Sequence, residues 1–250
     1  MYRFFVPVEN IENDSIRITG DDVNHIRNVL RMEPGEKIVV SCGQGIDYYC
    51  IIDVIQENGI DLKIEKEEAA VTELPVSITL FQALPKMDKM ELVIQKAVEL
   101  GAVEVVPVRT RRCVVKLDEK KAEKKLVRWR MITEAAAKQS GRGIVPQIRE
   151  VMGYEQALEY AKMLDTVIIP YELYDDMKGS VDTMNQAVKG SSIGVFIGPE
   201  GGFERGEIES AMLQGFFPVS LGKRILRTET AGLAVLSMLM FLIEGRKEEL

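Results

Sequence analysis

The region from residue 76 to residue 244 alternates between short apolar runs and stretches with helical spacing, and this alternation limits the folds open to the chain. Val76–Leu84 and Val103–Val108 are strand-like, whereas Lys89–Leu100 places its apolar residues at helical spacing. Strands that alternate with helices are typical of a mostly parallel sheet covered by helices. We therefore expect an α/β domain over residues 75–250.

The rest of this region continues the alternation up to a long apolar stretch. Predicted helices are 118–138, 154–164, 181–188, 204–213 and 228–244, and predicted strands are 166–170, 193–197 and 216–220. The last helix is apolar nearly all round, which indicates that most of its surface is buried.

Residues 1–70 have a different, β-rich pattern. Predicted strands are 2–6, 15–19, 37–41, 48–55 and 60–65, and a predicted helix over 21–31 interrupts them. Asn58-Gly59 between two of these strands is a strong hairpin signal. Several short strands at this spacing favour a small barrel. The charged segment Lys66–Pro75 then predicts a linker before the α/β domain.

Charge is unevenly distributed in a chain whose net charge is −7. Residues 109–142 hold 12 Lys and Arg side chains against four acidic ones, so the rest of the chain is strongly acidic. A basic face of this kind engages phosphates, although the four lysines between 120 and 125 equally fit a solvated helix face. Three cysteines without a C-x-x-C pair and one histidine predict no metal site.

Two glycine-bearing loops lie between strand-like and helix-like runs late in the sequence. Gly198–Phe203 follows the run Ile193–Ile197, and Leu221–Ala231 leads into the last helix. Small-molecule sites in parallel α/β sheets lie at the carboxyl ends of strands, so the two loops predict one pocket. Neither loop has the Lys-Ser/Thr of a P-loop or the G-x-G-x-x-G spacing, so we expect no pyrophosphate at its centre.

These loops belong to a set of motifs spread along most of the chain. The others are Arg3-Phe4-Phe5, His25–Arg31, Lys89–Gly101 and Glu134–Arg142. In this order the motifs resemble those of the SPOUT methyltransferases and, among them, the RsmE-type enzymes, which methylate N3 of a uridine in small-subunit ribosomal RNA. One departure is Glu204, where a Ser or Thr helix cap is expected, although an acidic residue still suits a helix N-terminus.

The resemblance implies an architecture that the spacing of apolar residues does not reveal. It implies a PUA-like β-barrel for RNA binding over residues 1–70 and a SPOUT methyltransferase domain with a parallel sheet over residues 75–250. In such a domain the C-terminal segment threads into a trefoil knot whose loops hold the cofactor. It also implies a homodimer in which the last helix and the knot meet the partner.

Two further expectations concern location. The apolar stretch Ala231–Ile243 is shorter than the about 20 residues that span a bilayer, so we expect no membrane partner. The start of the sequence lacks an apolar segment after a basic one, so we expect no secretory signal and a cytoplasmic protein.

The cofactor that the resemblance implies is S-adenosyl-L-methionine. Glycines let a backbone come close to a flat adenine, and apolar side chains can cover its faces. The predicted cofactor-binding residues are Ile169, Tyr171, Glu172, Ile197, Gly198, Pro199, Glu200, Gly201, Gly202, Leu221, Gly222, Ile225, Leu226 and Thr228.

The implied reaction is attack of a uridine N3 on the sulfonium methyl group. It depends on in-line placement and on stabilising the negative charge that develops as the N3 proton leaves. Arg227, with Arg224 nearby, is the predicted cation, and Glu200 and Glu229 are candidate catalytic proton acceptors. The two carboxylates have plain alternatives, since Glu229 can cap the last helix and Glu200 can brace its loop.

Contacts to RNA are predicted in both domains, and the implied partner is small-subunit ribosomal RNA within an assembled or assembling 30S particle. The predicted RNA-binding residues are Arg3, Arg27, Arg31, Lys86, Arg109, Arg112, Lys138, Arg142 and Arg224. Gln139–Arg142 offers an amide, a hydroxyl and a guanidinium at one helix end. Trp129 can stack a base, although a lone Trp on a helix more often packs in a core.

Other functions stay open at this level. The chain can be a non-catalytic RNA-binding protein with a vestigial pocket, or a SPOUT methyltransferase that acts on another RNA base. A dinucleotide oxidoreductase is consistent with the α/β class alone, but the sequence lacks the expected glycine spacing. Binding of S-adenosylmethionine separates the first of these alternatives from an enzyme.

Overall fold

The structure, a computed structural model, describes residues 1–115 and 117–246. Within them the chain forms two compact units. The N-terminal unit comprises Met1–Glu73 and Ala137–Val145, and the C-terminal unit comprises Leu74–Ala136 and the chain from Pro146.

The N-terminal unit contains a sheet that, over its described residues, has six strands in the order β1-β4-β5-β6-β3-β2. The strands are β1 Arg3–Phe5, β2 Ile11–Glu12, β3 Ser15–Ile18, β4 Lys37–Ser41, β5 Ile46–Ile55 and β6 Ile60–Ala69. The pairing of β1 with β4 is parallel and the other pairings are antiparallel. Alternate side chains of the sheet, such as Ile16 and Ile18, form one buried core, as period-two spacing requires.

The predicted helix over 21–31 is shorter and less regular than expected. The α-helix α1 spans Asp21–Asn24 and continues as a π-helical turn over His25–Val29. The wider turn shows in the hydrogen bond that the Leu30 N–H donates to the His25 carbonyl at 2.9 Å. Arg31 then adopts φ +54°, which helical residues do not, and this ends the element.

The predicted linker over 66–75 is wrong in its first part, because β6 continues to Ala69. The partner strand β5 is ten residues long, and its Ile46 pairs with Ala69. β3 pairs with β6 only up to Lys63, so the charged residues beyond it reach solvent and tolerate a strand. Local charge indicated a linker, but the length of β5 decides the outcome.

The C-terminal unit is built on a parallel sheet, which confirms the predicted α/β class. Its seven described strands are β7 Ser77–Ala83, β8 Glu104–Arg109, β9 Gln147–Ile148, β10 Met152–Gly153, β11 Thr166–Pro170, β12 Ser192–Ile197 and β13 Phe217–Val219. Their order is β10-β8-β7-β12-β11-β13, with β9 also beside β8. β9 and β10 were not predicted, because two residues carry no periodic signal.

Helices cover this sheet on both faces. They are α2 Lys89–Glu99, α3 Glu119–Ser140, α4 Tyr154–Ala161, α5 Met177–Ala187, α6 Arg205–Leu213 and α7 Thr228–Arg246. One core includes residues of α2, α5 and α7, and another includes residues of α4 and α6. Trp129 of α3 is 2% exposed and belongs to the first core, so it packs and does not offer a free face to a base.

The last helix, α7, is buried along one face only. Val235, Leu236 and Leu239 lie in the core, whereas Phe241 is 76% exposed and Met238 is also exposed. The prediction that most of its surface is buried therefore fails within a single chain. By length and composition alone, this 19-residue helix could also cross a membrane, but the core helix of a soluble protein can pass the same test.

Candidate active site

The carboxyl ends of three adjacent strands surround a cavity of about 860 Å³. β12, β11 and β13 are neighbours and run parallel, so the loops that follow them emerge at the same edge of the sheet. These are the segments after Ile197, after Pro170 and after Val219. The position agrees with the general location of ligand sites in open α/β sheets.

The cavity brings together nearly all of the residues predicted to bind a cofactor. Those that line it are Tyr171, Glu172, Ile197, Gly198, Pro199, Glu200, Gly201, Gly202, Leu221, Gly222, Ile225, Leu226 and Thr228. Ile169 is different, because it is 1% exposed and lies in the core beneath the strand end. Arg224 and Arg227 also line the cavity.

A buried hydrogen-bond chain fixes the first glycine loop. The Thr228 hydroxyl donates to the Gly198 carbonyl at 2.6 Å and accepts from the Gln82 amide at 2.9 Å. Gln82 and Thr228 are both buried, so these bonds are shielded from water. These two hydrogen bonds connect β7, the loop after β12 and the start of α7.

Two features favour glycine at position 202, namely its backbone conformation and the close approach of the Glu172 side chain. Its φ is +67°, and a Cβ at this position would lie 2.7 Å from a carboxylate oxygen of Glu172. The same loop is held from outside by Arg112, whose guanidinium donates to the Gly201 carbonyl at 2.8 Å. The loop therefore presents backbone groups to the cavity in a defined conformation.

Replacing Gly202 with alanine is expected to lower the free energy of unfolding by about 1–2 kcal/mol, because an L-residue is strained at this φ. The Glu172 carboxylate can move aside, so the backbone dominates the cost. Urea unfolding measures the change. Gly206→Ala in α6 is the matched control: a Cβ there meets nothing within 4 Å and the residue is helical, so no loss of stability is expected. An equal change in the free energy of unfolding for the two variants would contradict the claim that the backbone at position 202 requires glycine.

Three charged side chains meet beside the cavity; Lys89 and Glu200 line it, whereas the predicted proton acceptor Glu229 is outside the lining. Nζ of Lys89 lies 3.2 Å from Oε2 of Glu229 and 3.6 Å from Oε1 of Glu200. Burial on its own would raise the pKa of Glu200, but backbone N–H groups of Lys86 and Glu200 and the charge of Lys89 outweigh it and lower the pKa. Burial likewise opposes ionisation of Glu229, and its own N–H, Lys89 and Arg227 together lower its pKa. Both carboxylates are therefore ionised at neutral pH and are weak bases.

Lys89 is a charged site residue that sequence reasoning missed. The sequence shows it only as the first residue of a predicted helix, which is also where the structure begins α2. Its partner Glu229 is 140 residues further along the chain. The sequence did contain one signal for Lys89: it follows the carboxyl end of the parallel strand β7, where ligand sites of such sheets lie.

Comparison with known proteins identifies the family. A family model described as the RNA methyltransferase domain matches residues 72–240, and one described as the RNA methyltransferase PUA domain matches residues 18–65. The chain belongs to the RNA methyltransferase family. Because the second model matches residues 18–65, the six-stranded sheet of the N-terminal unit belongs to a PUA-like domain.

Individual relatives support the same assignment for this RNA methyltransferase. Ribosomal RNA small subunit methyltransferase E of Bacillus subtilis is 36% identical, covering 98% of each chain, and the Synechocystis protein of that name is 32% identical, covering 98% of this chain and 78% of its own. The Neisseria gonorrhoeae enzyme of that name, crystallised bound to S-adenosyl methionine, is 35% identical with a TM-score of 0.82, covering 97% of this chain and 98% of its own. The resemblance is thereby confirmed; the trefoil knot stays a prediction.

The residues predicted to contact RNA divide into internal and exposed sets in the methyltransferase. Arg3 pairs with Asp47, and the buried Arg142 pairs with Glu73, all within the N-terminal unit. These two guanidinium groups neutralise internal carboxylates, so their placement argues against direct RNA contact. Lys138 lies 3.5 Å from Asp22 in the same unit. The exposed members are Arg27, Arg31, Lys86, Arg109, Arg112 and Arg224.

The basic helix α3 of the methyltransferase is partly neutralised. Arg128 makes two hydrogen bonds to Glu91, at 2.6 and 2.8 Å, and Lys125 lies 3.1 Å from Asp88. These pairs link α3 to α2 and lower the positive charge of this face. For Lys125, one of the four lysines between 120 and 125, this ion pair supports the alternative of a structural helix face over a phosphate contact.

Proposed function

We propose that this RNA methyltransferase transfers a methyl group from S-adenosylmethionine to N3 of a uridine in small-subunit ribosomal RNA. The observation that carries the proposal is the cavity formed by two glycine loops at the carboxyl ends of parallel strands. The relatives named for small-subunit ribosomal RNA methylation, one of them bound to S-adenosyl methionine, support the choice of cofactor and substrate. The N3 position rests on the resemblance to RsmE-type enzymes.

The residues of the cavity fit S-adenosylmethionine in size and chemistry. The first glycine loop offers backbone groups to the adenine edge, and Leu221 and Leu226 offer apolar walls. Glu172 and Glu200 line the cavity and give it negative charge, which favours a positively charged sulfonium. When bound, the cofactor supplies an electrophilic methyl group on a positively charged sulfur.

Arg227 is the proposed cation for the reacting base. It is exposed at the cavity wall, directly before the buried Thr228 that fixes its backbone. A guanidinium near O2 or O4 stabilises the negative charge left when the N3 proton departs. The N3–carbon bond then forms as the carbon–sulfur bond breaks, and the proton goes to water. Glu200 and Glu229 have lowered pKa values, which favours their bracing roles over proton abstraction.

We propose that RNA is held by exposed cations of both units. Arg27 and Arg31 are exposed in the N-terminal unit, and Lys86, Arg109 and Arg224 are exposed in the C-terminal unit. Contacts of this type position the backbone and weaken with salt. The target uridine must be exposed before its N3 can be reached. The proposed substrate is the ribosomal RNA within an assembled or assembling 30S particle. A cytoplasmic location follows from this substrate.

The function is tested by methyl transfer from labelled S-adenosylmethionine to small ribosomal subunits from a strain that lacks this gene. Mass spectrometry of the nucleosides is expected to show 3-methyluridine. A different methylated nucleoside would replace the proposed base while keeping the reaction. Cofactor binding without transfer to subunits or naked rRNA would reject the substrate, and loss of both would favour a non-catalytic RNA-binding protein.

A homodimer is the proposed state, carried by the exposed apolar face of α7. Phe241 and Met238 project from the side of α7 opposite its core residues. A single aspartate on this apolar face should block association. Light scattering is expected to give twice the 28.1 kDa chain mass for the wild type and 28.1 kDa for Phe241→Asp. Val127→Asp, at an exposed position of α3, is the control and should stay dimeric. A wild-type mass of 28.1 kDa at micromolar concentration would overturn the dimer.

A further inference from the structure

We infer that Lys89 is a positioning residue of the cofactor cavity, whose ammonium group clasps the carboxylates of Glu200 and Glu229 and so holds the first glycine loop to the start of α7. The positioning role rests on the proposed function, since positioning the loop matters only if a cofactor binds there. The clasp itself is a property of the protein without any ligand.

A backbone N–H and an ammonium group from one short segment approach the same carboxylate oxygen of Glu200. Oε1 of Glu200 accepts a hydrogen bond from the Lys86 backbone N–H at 2.9 Å and lies 3.6 Å from Nζ of Lys89. Between them, Met87 adopts φ +55°, a sharp turn that directs both groups to the same oxygen. The other carboxylate, Glu229, accepts from Lys89 at 3.2 Å. Segment 86–89 therefore meets the Glu200 carboxylate through both a backbone N–H and an ammonium group.

The charges of the clasp are balanced by a second cation. One ammonium between two carboxylates leaves one net negative charge, and Arg227 lies near Glu229 and offsets it. Charged groups facing the pair of carboxylates are Lys89 and, near Glu229, Arg227. Both carboxyl groups have lowered pKa values, so the clasp contributes stability above their unfolded pKa that is lost as pH falls through the folded values.

The clasp also reaches the proposed catalytic cation. Glu229 is two residues after Arg227, and the Arg227 carbonyl accepts hydrogen bonds from the Thr230 and Ala231 N–H groups in the first turn of α7. Fixing Glu229 therefore fixes the turn from which Arg227 projects. Lys89 thereby adds a second link between the glycine loop and the turn that carries the cation, beside the hydrogen bond from Thr228 to Gly198.

A double-mutant cycle in the protein without ligand tests the clasp. Lys89→Met and Glu229→Gln are each expected to lower the folding equilibrium constant about tenfold, and the double variant is expected to lose little more than either. Lys96→Met is the matched control, since Lys96 pairs with Glu99 on the same helix at 2.7 Å and is more exposed. Additive losses in the cycle would overturn the clasp.

Cofactor affinity tests the positioning role. Titration calorimetry with S-adenosylmethionine is expected to show about tenfold weaker binding to Lys89→Met, restoration to within about threefold by Lys89→Arg, and no change for Lys96→Met. Unchanged affinity in Lys89→Met beside a coupled cycle would overturn positioning while leaving the ion pairs. If the wild type binds no S-adenosylmethionine, the proposed function fails, and the cycle still decides whether the clasp exists.

Discussion

Replacing Arg227 with alanine is expected to lower kcat for methyl transfer by about 10²–10³-fold, because the variant loses the cation that faces the developing charge on the uracil. S-adenosylmethionine affinity should change little, since the guanidinium is exposed and the cofactor loop is fixed by Thr228 and Gly198. Rapid-mixing experiments with saturating cofactor and ribosomal subunits measure the chemical step separately from binding.

Arg205→Ala is the control for this experiment. Arg205 is an exposed arginine of the same unit that pairs with Glu209 on α6, outside the cavity lining. Its loss should leave the transfer rate within about twofold, because exposed pairs contribute little. A variant at Arg227 with a normal transfer rate and a raised KM for RNA would assign the guanidinium to RNA binding instead of to catalysis.

The regular part of the fold was predictable because its signals are local. β4 at Lys37–Ser41 and β11 at Thr166–Pro170 have the predicted bounds, since each is a continuous apolar or alternating run with clear breaks. The helix α6 also begins near its predicted position despite Glu204, because Glu207 accepts a hydrogen bond from the Glu204 N–H at 2.8 Å. Acidic side chains thus supply the cap that a Ser or Thr was expected to provide.

The remaining differences arise where distant segments decide the outcome. β6 continues through charged residues because β5, its hairpin partner, begins at Ile46 and pairs with it as far as Ala69, and local charge does not register this pairing. The glycine loops were found because glycine spacing is local, but their clasp was missed because Lys89 and Glu200 meet only in the folded chain. Side-chain pairing over such separations is not encoded in periodicity.

Arg142 shows the same limit for single charges. The motif Gln139–Arg142 lies at a helix end, where a phosphate contact is a reasonable expectation. In the structure the side chain of Arg142 is 4% exposed and meets Glu73, which is 69 residues earlier in the sequence. Sequence spacing identified a guanidinium of importance, but its importance is to the N-terminal unit itself.

Arg142→Met is accordingly expected to lower the free energy of unfolding by about 3–5 kcal/mol, because it leaves the mostly buried Glu73 carboxylate without its cation. Glu73 accepts from Nε and Nη2 of Arg142 and also from the backbone N–H groups of Gly143, at 2.7 Å, and Ile144, at 3.3 Å. The backbone bonds remain in the variant, but they do not replace a full positive charge. Urea unfolding at neutral pH measures the loss.

Arg17→Met supplies the comparison, since Arg17 pairs with Asp61 at 2.7 Å in the same unit but with 48% of its side chain exposed. Its expected cost is below about 1 kcal/mol, as for other exposed pairs. Adding Glu73→Leu to Arg142→Met should recover only part of the stability, because the Gly143 and Ile144 N–H groups then lose their acceptor. A loss for Arg142→Met no larger than that for Arg17→Met would mean that the buried pair is not a main support of this unit, and would return Arg142 to the candidates for RNA contact.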